Sequence, residues 1–175
     1  MAILGVDDFK AKLKGGGARP NLFQVTLNYP AGTGGDRDLT SFMCKTASLP
    51  ASVISSIPVA FRGRQLQIAG DRTFEPWTVT IINDTGMEVR NAMERWMNRI
   101  NAHSLNIGVT NPLLYQQDLK VEQLDKDGTP LKTYDFRGCF PTSISAIDLS
   151  YDNVDTIEEF TVEFQIQYWE SNTTV

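Results

Sequence analysis

The chain has 175 residues, 41% hydrophobic and 21% charged, which suits one domain with a sizeable core. Its formal charge of −5 and two cysteines exclude a disulfide scaffold, and they argue against stable, sequence-specific DNA binding, which draws on basic patches. No apolar run reaches the ~20 residues of a membrane helix, and Ala2–Val6, followed at once by Asp7 and Asp8, is too short for a signal-peptide core, so cytoplasmic synthesis is expected.

Residues 6–14 predict a short helix, acidic at Asp7 and Asp8 and basic at Lys10, Lys12 and Lys14, matching the helix dipole. Gly15–Gly17 breaks it, leaving 1–17 as a flexible arm that either frays or docks on a neighbour. Leu22–Tyr29 alternates Phe23, Val25, Leu27 and Tyr29 with Gln24, Thr26 and Asn28, the pattern of a half-buried strand. Pro30–Asp36 reads as a flexible glycine-rich hairpin loop, without the Lys-Ser/Thr ending of a phosphate-binding loop, and leads to a second strand near 38–46.

Segment 48–58, bracketed by Pro50 and Pro58, carries Val53, Ile54 and Ile57; it reads as an apolar loop whose surface is meant to be covered. Strands follow at 59–69 and 76–83, joined by a turn at Gly70-Asp71-Arg72 with a local ion pair. A helix over 86–103 presents Val89, Met93, Trp96 and Ile100 as an apolar stripe, widened by Ala92 and Met97, and Asp84 or Thr85 caps it. Strands are then predicted at 115–124, 131–140, 144–151 and 157–169, the first two joined by the hairpin signal Asp125–Gly128. The last strand sets Phe160, Val162, Phe164, Ile166 and Tyr168 on one face, and 171–175 forms a short tail.

Chemistry is hard to place on this chain. His103 is its only histidine, and no Gly-x-Ser-x-Gly nucleophile motif occurs. Cys44 and Cys139 fall in predicted strands and are expected as reduced, core-facing thiols. The neighbours in Asp7/Asp8 and Glu158/Glu159 point apart, unlike the paired acids of a glycosidase. No catalytic, cofactor or metal site is expected, and an enzyme is not.

Two strands instead set mixed charges on a wet face: Asp118, Lys120 and Glu122 on one, Thr133, Asp135 and Arg137 on the next. The expected fold is mainly β (α+β), an antiparallel β-sandwich or open barrel of about eight strands capped by one α-helix, in a single domain spanning 1–175. Open sheets have edges, and pairing with identical neighbours in a ring removes them.

Four stretches share a pattern with one known family: Ala18-Arg19-Pro20-Asn21-Leu22-Phe23-Gln24-Val25, Cys44–Pro50, Phe61–Asp84, and Phe160–Phe164 running into Tyr168-Trp169-Glu170. In that order, over roughly 18–170, the chain resembles the tail tube proteins of contractile-tailed bacteriophages. The resemblance implies a structural virion protein in the tail, without cofactors and without membrane association. Its copies would form hexameric rings stacked into a tube that conducts DNA into the host. Sheath, baseplate and tail terminator proteins would be its partners.

The resemblance further implies that strands near 38–47, 59–69, 116–124 and 132–140 line the channel, with Asp118, Lys120, Glu122, Asp135 and Arg137 facing the lumen. Val53, Ile54 and Ile57 become interface candidates, with the N-terminal arm and the C-terminal tail. Two other readings stay open: the tube of a related contractile injection system (tailocin or type VI-like), and a monomeric ligand-binding β-barrel.

Overall fold

The computed structural model describes residues 5–174. The arm begins with α1 (Val6–Lys12), followed by a 3₁₀ turn at Lys14–Gly16. Strand β1 (Phe23–Leu27) opens the domain, with Val25 and Leu27 buried. The loop after it is pinned: Arg95 and Arg99 donate to the carbonyls of Thr33 and Ala31, and Thr33 is buried. The flexible hairpin loop expected there is therefore held against a helix.

The strand expected near 38–46 is mostly helix. Asp36 accepts hydrogen bonds at Oδ1 from the backbone N–H groups of Asp38 (2.8 Å) and Leu39 (3.1 Å), which caps α2 (Arg37–Met43). Only β2 (Cys44–Ala47) is extended. The expected apolar loop is also corrected, because β3 (Ser52–Phe61) and β4 (Arg64–Phe74) pair as one long hairpin. Its two-residue turn is Arg62-Gly63, with φ of 46° and 79°, the backbone of a hairpin turn with the twist of its strands. Gly70 makes no turn: it sits at a bulge opposite Ser55, whose Oγ donates to the Asp71 carbonyl at 3.3 Å.

Strand β5 (Trp77–Ile82) alternates in and out, and α3 (Glu88–Ile100) buries Val89, Ala92, Met93 and Trp96. The helix is shorter than the expected 86–103, and Met87 stands at its cap position without a side-chain bond; Asp84 Oδ1 accepts from the Glu88 N–H at 3.0 Å. Strands β6 (Gln117–Leu124) and β7 (Pro130–Ile144) form the expected hairpin. The chain then leaves the sheet, so the strand expected over 144–151 is absent; 145–158 is irregular. The single strand expected at 157–169 is two, β8 (Glu159–Gln165) and β9 (Tyr168–Ser171). Ile166 is buried, but Tyr168 lies beyond the break and is half exposed. Ser171, expected in the tail, is buried inside β9.

All these pairings are antiparallel and run in the order β1-β6-β7-β8-β5-β2, with β9 on β7. Strand β7 belongs to two layers. Its first part pairs with β6 and β9, and Phe140–Ile144 pairs with β8. One layer is thus β1-β6-β7-β9 and the other β7-β8-β5-β2. Gly138, at φ 62°, stands where β7 passes between them. The space inside is filled by Trp77, Phe136 and Phe164, with Trp96 of α3 closing one side. Both indoles are satisfied: Trp77 Nε1 donates to the Ser48 carbonyl and Trp96 Nε1 to that of Tyr115, each at 2.7 Å. A core filled in this way leaves the ligand-binding barrel without its interior. Cys44 lies half-buried in β2 and Cys139 buried in β7, both as free thiols.

Candidate functional site: a charged sheet face and a projecting hairpin

Register decides which side chains share a face. Lys120 pairs with Asp135 and Thr26, and Glu122 with Thr133 and Gln24, while Leu119, Val121 and Phe136 point into the core. Asp118, Lys120, Glu122, Asp135 and Arg137 therefore stand together on the outer side of the first layer. Arg137 Nη1 reaches Asp118 Oδ2 at 2.7 Å and its Nη2 reaches Glu170 Oε2 at 3.2 Å. These two hydrogen-bonded carboxylates, Asp118 first, raise the Arg137 pKa above its already high ordinary value. Lys120 lies 3.8 Å from Glu122 and 3.9 Å from Asp135. Lys120 and Arg137 are thus each flanked by two acids. Arg37 and Asp38, at the start of α2, rim the same groove, which has a volume of about 460 Å³.

The second feature is the β3–β4 hairpin. Ten residues of β3 at ~3.3 Å each give a projection of roughly 30 Å. Every residue of its two strands except Gly70 and Phe74 is exposed. Ile57 pairs with Ile68 and Val59 with Leu66, so one face of the hairpin is apolar and open, continued by Phe61 at the tip. Its root is fixed by β9: Trp169 Nε1 donates to the Ala51 carbonyl at 3.2 Å, and the indole meets Phe74 edge-on at 6.1 Å.

Comparison with known proteins matches this architecture. A family profile described as phage tail tube protein covers residues 18–172. The tail tube protein gp19 of Enterobacteria phage T4 is 35% identical over 167 residues, 94% of this chain and 99% of the relative. The chain belongs to the phage tail tube protein family. A tail tube protein of Serratia phage KSP90 is 29% identical, covering 91% of this chain and 93% of its own. Two solved structures share the fold. A chain of the anti-feeding prophage baseplate superposes with a TM-score of 0.65 at 13% identity, covering 89% of this chain and 95% of that one. A chain of the sheath–tube complex of an extracellular contractile injection system gives 0.61 at 13% identity, covering 95% and 97%.

This tail tube protein is accordingly a structural component of the virion, a subunit of the tail tube. Of the strands expected to share one lining sheet, only β6 and β7 are neighbours. β2 lies in the other layer, 38–43 is helix, and 59–69 spans the hairpin turn. Val53, Ile54 and Ile57 all lie on β3 and are about half exposed, but Ile54 stands on the opposite pleat from Val53 and Ile57. Sequence reasoning missed Val59, Phe61, Leu66 and Ile68, although their spacing around Arg62-Gly63 carries the alternation of a hairpin. It also missed Glu170, which only the β7–β9 pairing brings to Arg137.

Proposed function

We propose that this tail tube protein assembles as hexameric rings that stack through the β3–β4 hairpin, and that the charged face of the β1-β6-β7-β9 layer lines the channel through which DNA passes. One observation carries this reading. The isolated chain exposes 12200 Å², whereas a compact monomer of its mass exposes about 8,500 Å². The surplus lies in projecting parts such as the hairpin, whose open apolar face has no cover within its own subunit. A second copy of the same chain supplies that cover.

The role is physical rather than catalytic. In the channel, Lys120 and Arg137 are occupied by carboxylates and are not free to hold DNA phosphates. The chain's net charge of −5 adds mild repulsion, which at physiological salt reaches about 8 Å. The similar folds belong to a baseplate and a sheath–tube complex, and another to a tube-terminating cap. Partners of those three kinds are assigned to this chain as well.

Electron microscopy of the purified protein tests the assembly. Six-fold rings or tubes are expected, and a population of featureless monomers at all concentrations overturns the reading. Ile57→Asp, on the open apolar face, is expected to keep the far-ultraviolet dichroism of the wild type and lose the tubes.

A further inference from the structure

Segment 145–158 connects β7 to β8 and has no regular structure. Structureless loops of that length are uncommon inside a compact domain, and are as a rule either functional or linker-like. It is tied down chiefly at its ends: the Ser145 N–H donates to the Thr161 carbonyl at 2.8 Å, and the Asn83 N–H to the Glu158 carbonyl at 2.8 Å. Between those anchors Leu149, Tyr151, Val154 and Ile157 are all more than two-thirds exposed. The segment holds Asp148, Asp152, Asp155 and Glu158 and no lysine or arginine. Among the described residues, none of the three aspartates has an ion-pair partner. An open cleft of about 350 Å³ runs along it, lined by Asp148, Leu149 and Ile157.

The hairpin has the complementary composition. Residues 52–74 carry Arg62, Arg64 and Arg72 against the single acid Asp71, in a chain that is acidic overall. Among the described residues, these arginines too stand in no ion pair. Each surface is apolar with unneutralised charge, and the two signs are opposite.

Topology sets the two at opposite ends of one layer. In β7-β8-β5-β2, one end is formed by Ala47 and Trp77, paired along the layer with Val79 and Phe164, and the hairpin leaves and re-enters there. The other end is formed by Ile82 paired with Glu159, beside Ile144, and 145–158 emerges there. A surface at one end that fits a different surface at the other makes a head-to-tail contact, which repeats as an open column wherever its rotation does not close it into a ring.

We propose that segment 145–158 of one copy is the receptor for the β3–β4 hairpin of the next copy along the tube. Arg62 and Arg64 meet its aspartates, and the apolar face containing Ile57 and Val59 covers Leu149, Val154 and Ile157. This rests on the reading that the chain stacks into a tube. It adds the docking surface and the charge pairing.

Two experiments on the full-length protein test it. In the first, Arg62→Glu with Arg64→Glu, and separately Asp152→Lys with Asp155→Lys, are each expected to cut the yield of sedimentable tubes at least tenfold. Combining all four changes in one chain is expected to restore most of that yield. In the second, an Arg64→Cys variant and an Asp152→Cys variant are mixed and oxidised, and a cross-linked dimer containing one of each is expected. Tubes that form normally in the aspartate variant, or wild-type-like tubes whose 64–152 cross-link does not form, overturn the receptor and leave the tube reading standing. Absence of tubes and rings from the wild type, with no cross-link, removes both. Circular dichroism of each variant separates lost docking from lost folding, since every changed side chain is exposed.

Discussion

The indole of Trp77 stacks on the ring of Phe136, with centroids 4.4 Å apart and planes inclined by 30°. The first residue belongs to the β7-β8-β5-β2 layer and the second to β1-β6-β7-β9, so this contact joins the two halves of the sandwich. Both are almost wholly buried. Phe136→Ala removes the ring from a closed core and is expected to cost about 3–5 kcal/mol. Denaturant unfolding of the variant measures it, with Phe136→Leu as the milder control. A loss below about 1 kcal/mol would show that the layers are held elsewhere.

Gly138 has φ of 62°, and a Cβ there would stand 2.8 Å from Cγ of Gln167. The strain of a left-handed backbone, ~1 kcal/mol, adds to whatever the glutamine must yield. Gly138→Ala is expected to lower the unfolding free energy by about 1–2 kcal/mol. Gly128→Ala, also at positive φ but with open space around it, is the control: it carries the backbone strain alone and should cost less.

Stability should fall on the alkaline side. Burial pushes the thiols of Cys139 and Cys44 up to about 12 and about 11, and the Tyr29 hydroxyl to about 12 despite its hydrogen bond with Thr40. In the unfolded chain these groups ionise from about pH 8.5 (Cys) and 10 (Tyr). The native state therefore binds more protons through that range. Its stability from these groups is whole below about pH 8.5 and declines as pH rises toward 12. Urea midpoints at pH 8, 9.5 and 10.5 check the slope. Cys139→Ala combined with Cys44→Ala should flatten the part below pH 10.

The charged face gives a prediction for assembled tubes. Asp118→Lys, Glu122→Lys and Asp135→Lys together reverse three charges per subunit, free Lys120 from both its carboxylates and leave Arg137 with Glu170 alone. Such tubes are expected to retain double-stranded DNA with a steep salt dependence, whereas wild-type tubes let it go. Cysteine placed at 118 or 135 should react with a small thiol reagent and not with a bulky one. Equal labelling by both in intact tubes puts that face outside the channel.

The parts of the fold that were legible in the sequence are those governed by burial period. The alternation of Phe160, Val162 and Phe164 and the stripe of Val89, Met93 and Trp96 predict a strand and a helix, and both bury the residues expected. Charged residues at every second position of β6 and β7 likewise share a face: Lys120 and Glu122 pair in simple register with Asp135 and Thr133, while Asp118 and Arg137 meet across a register shift. The misreadings have local causes. A single aspartate, Asp36, turns 37–43 into helix against a strand-like composition. Arg62-Gly63 makes a tight turn without the usual asparagine or aspartate, so the local pattern points to a turn at Gly70 instead. Segment 48–58 and its continuation look unsettled in isolation because the hairpin finds no partner within its own chain. Glu170 reaches Arg137 only through long-range pairing, which no local pattern reports.

Because the hairpin and segment 145–158 leave opposite ends of one layer, the subunit has a direction, and a column built from it inherits that direction. One terminus shows arginines on an apolar ribbon; the other shows aspartates among exposed apolar side chains such as Leu149, Val154 and Ile157. A protein that starts the column and one that stops it thus meet chemically different surfaces. The starter must imitate one half of the contact and the stopper the other, so neither can do the other's work, and a subunit cannot join upside down without setting like charge against like.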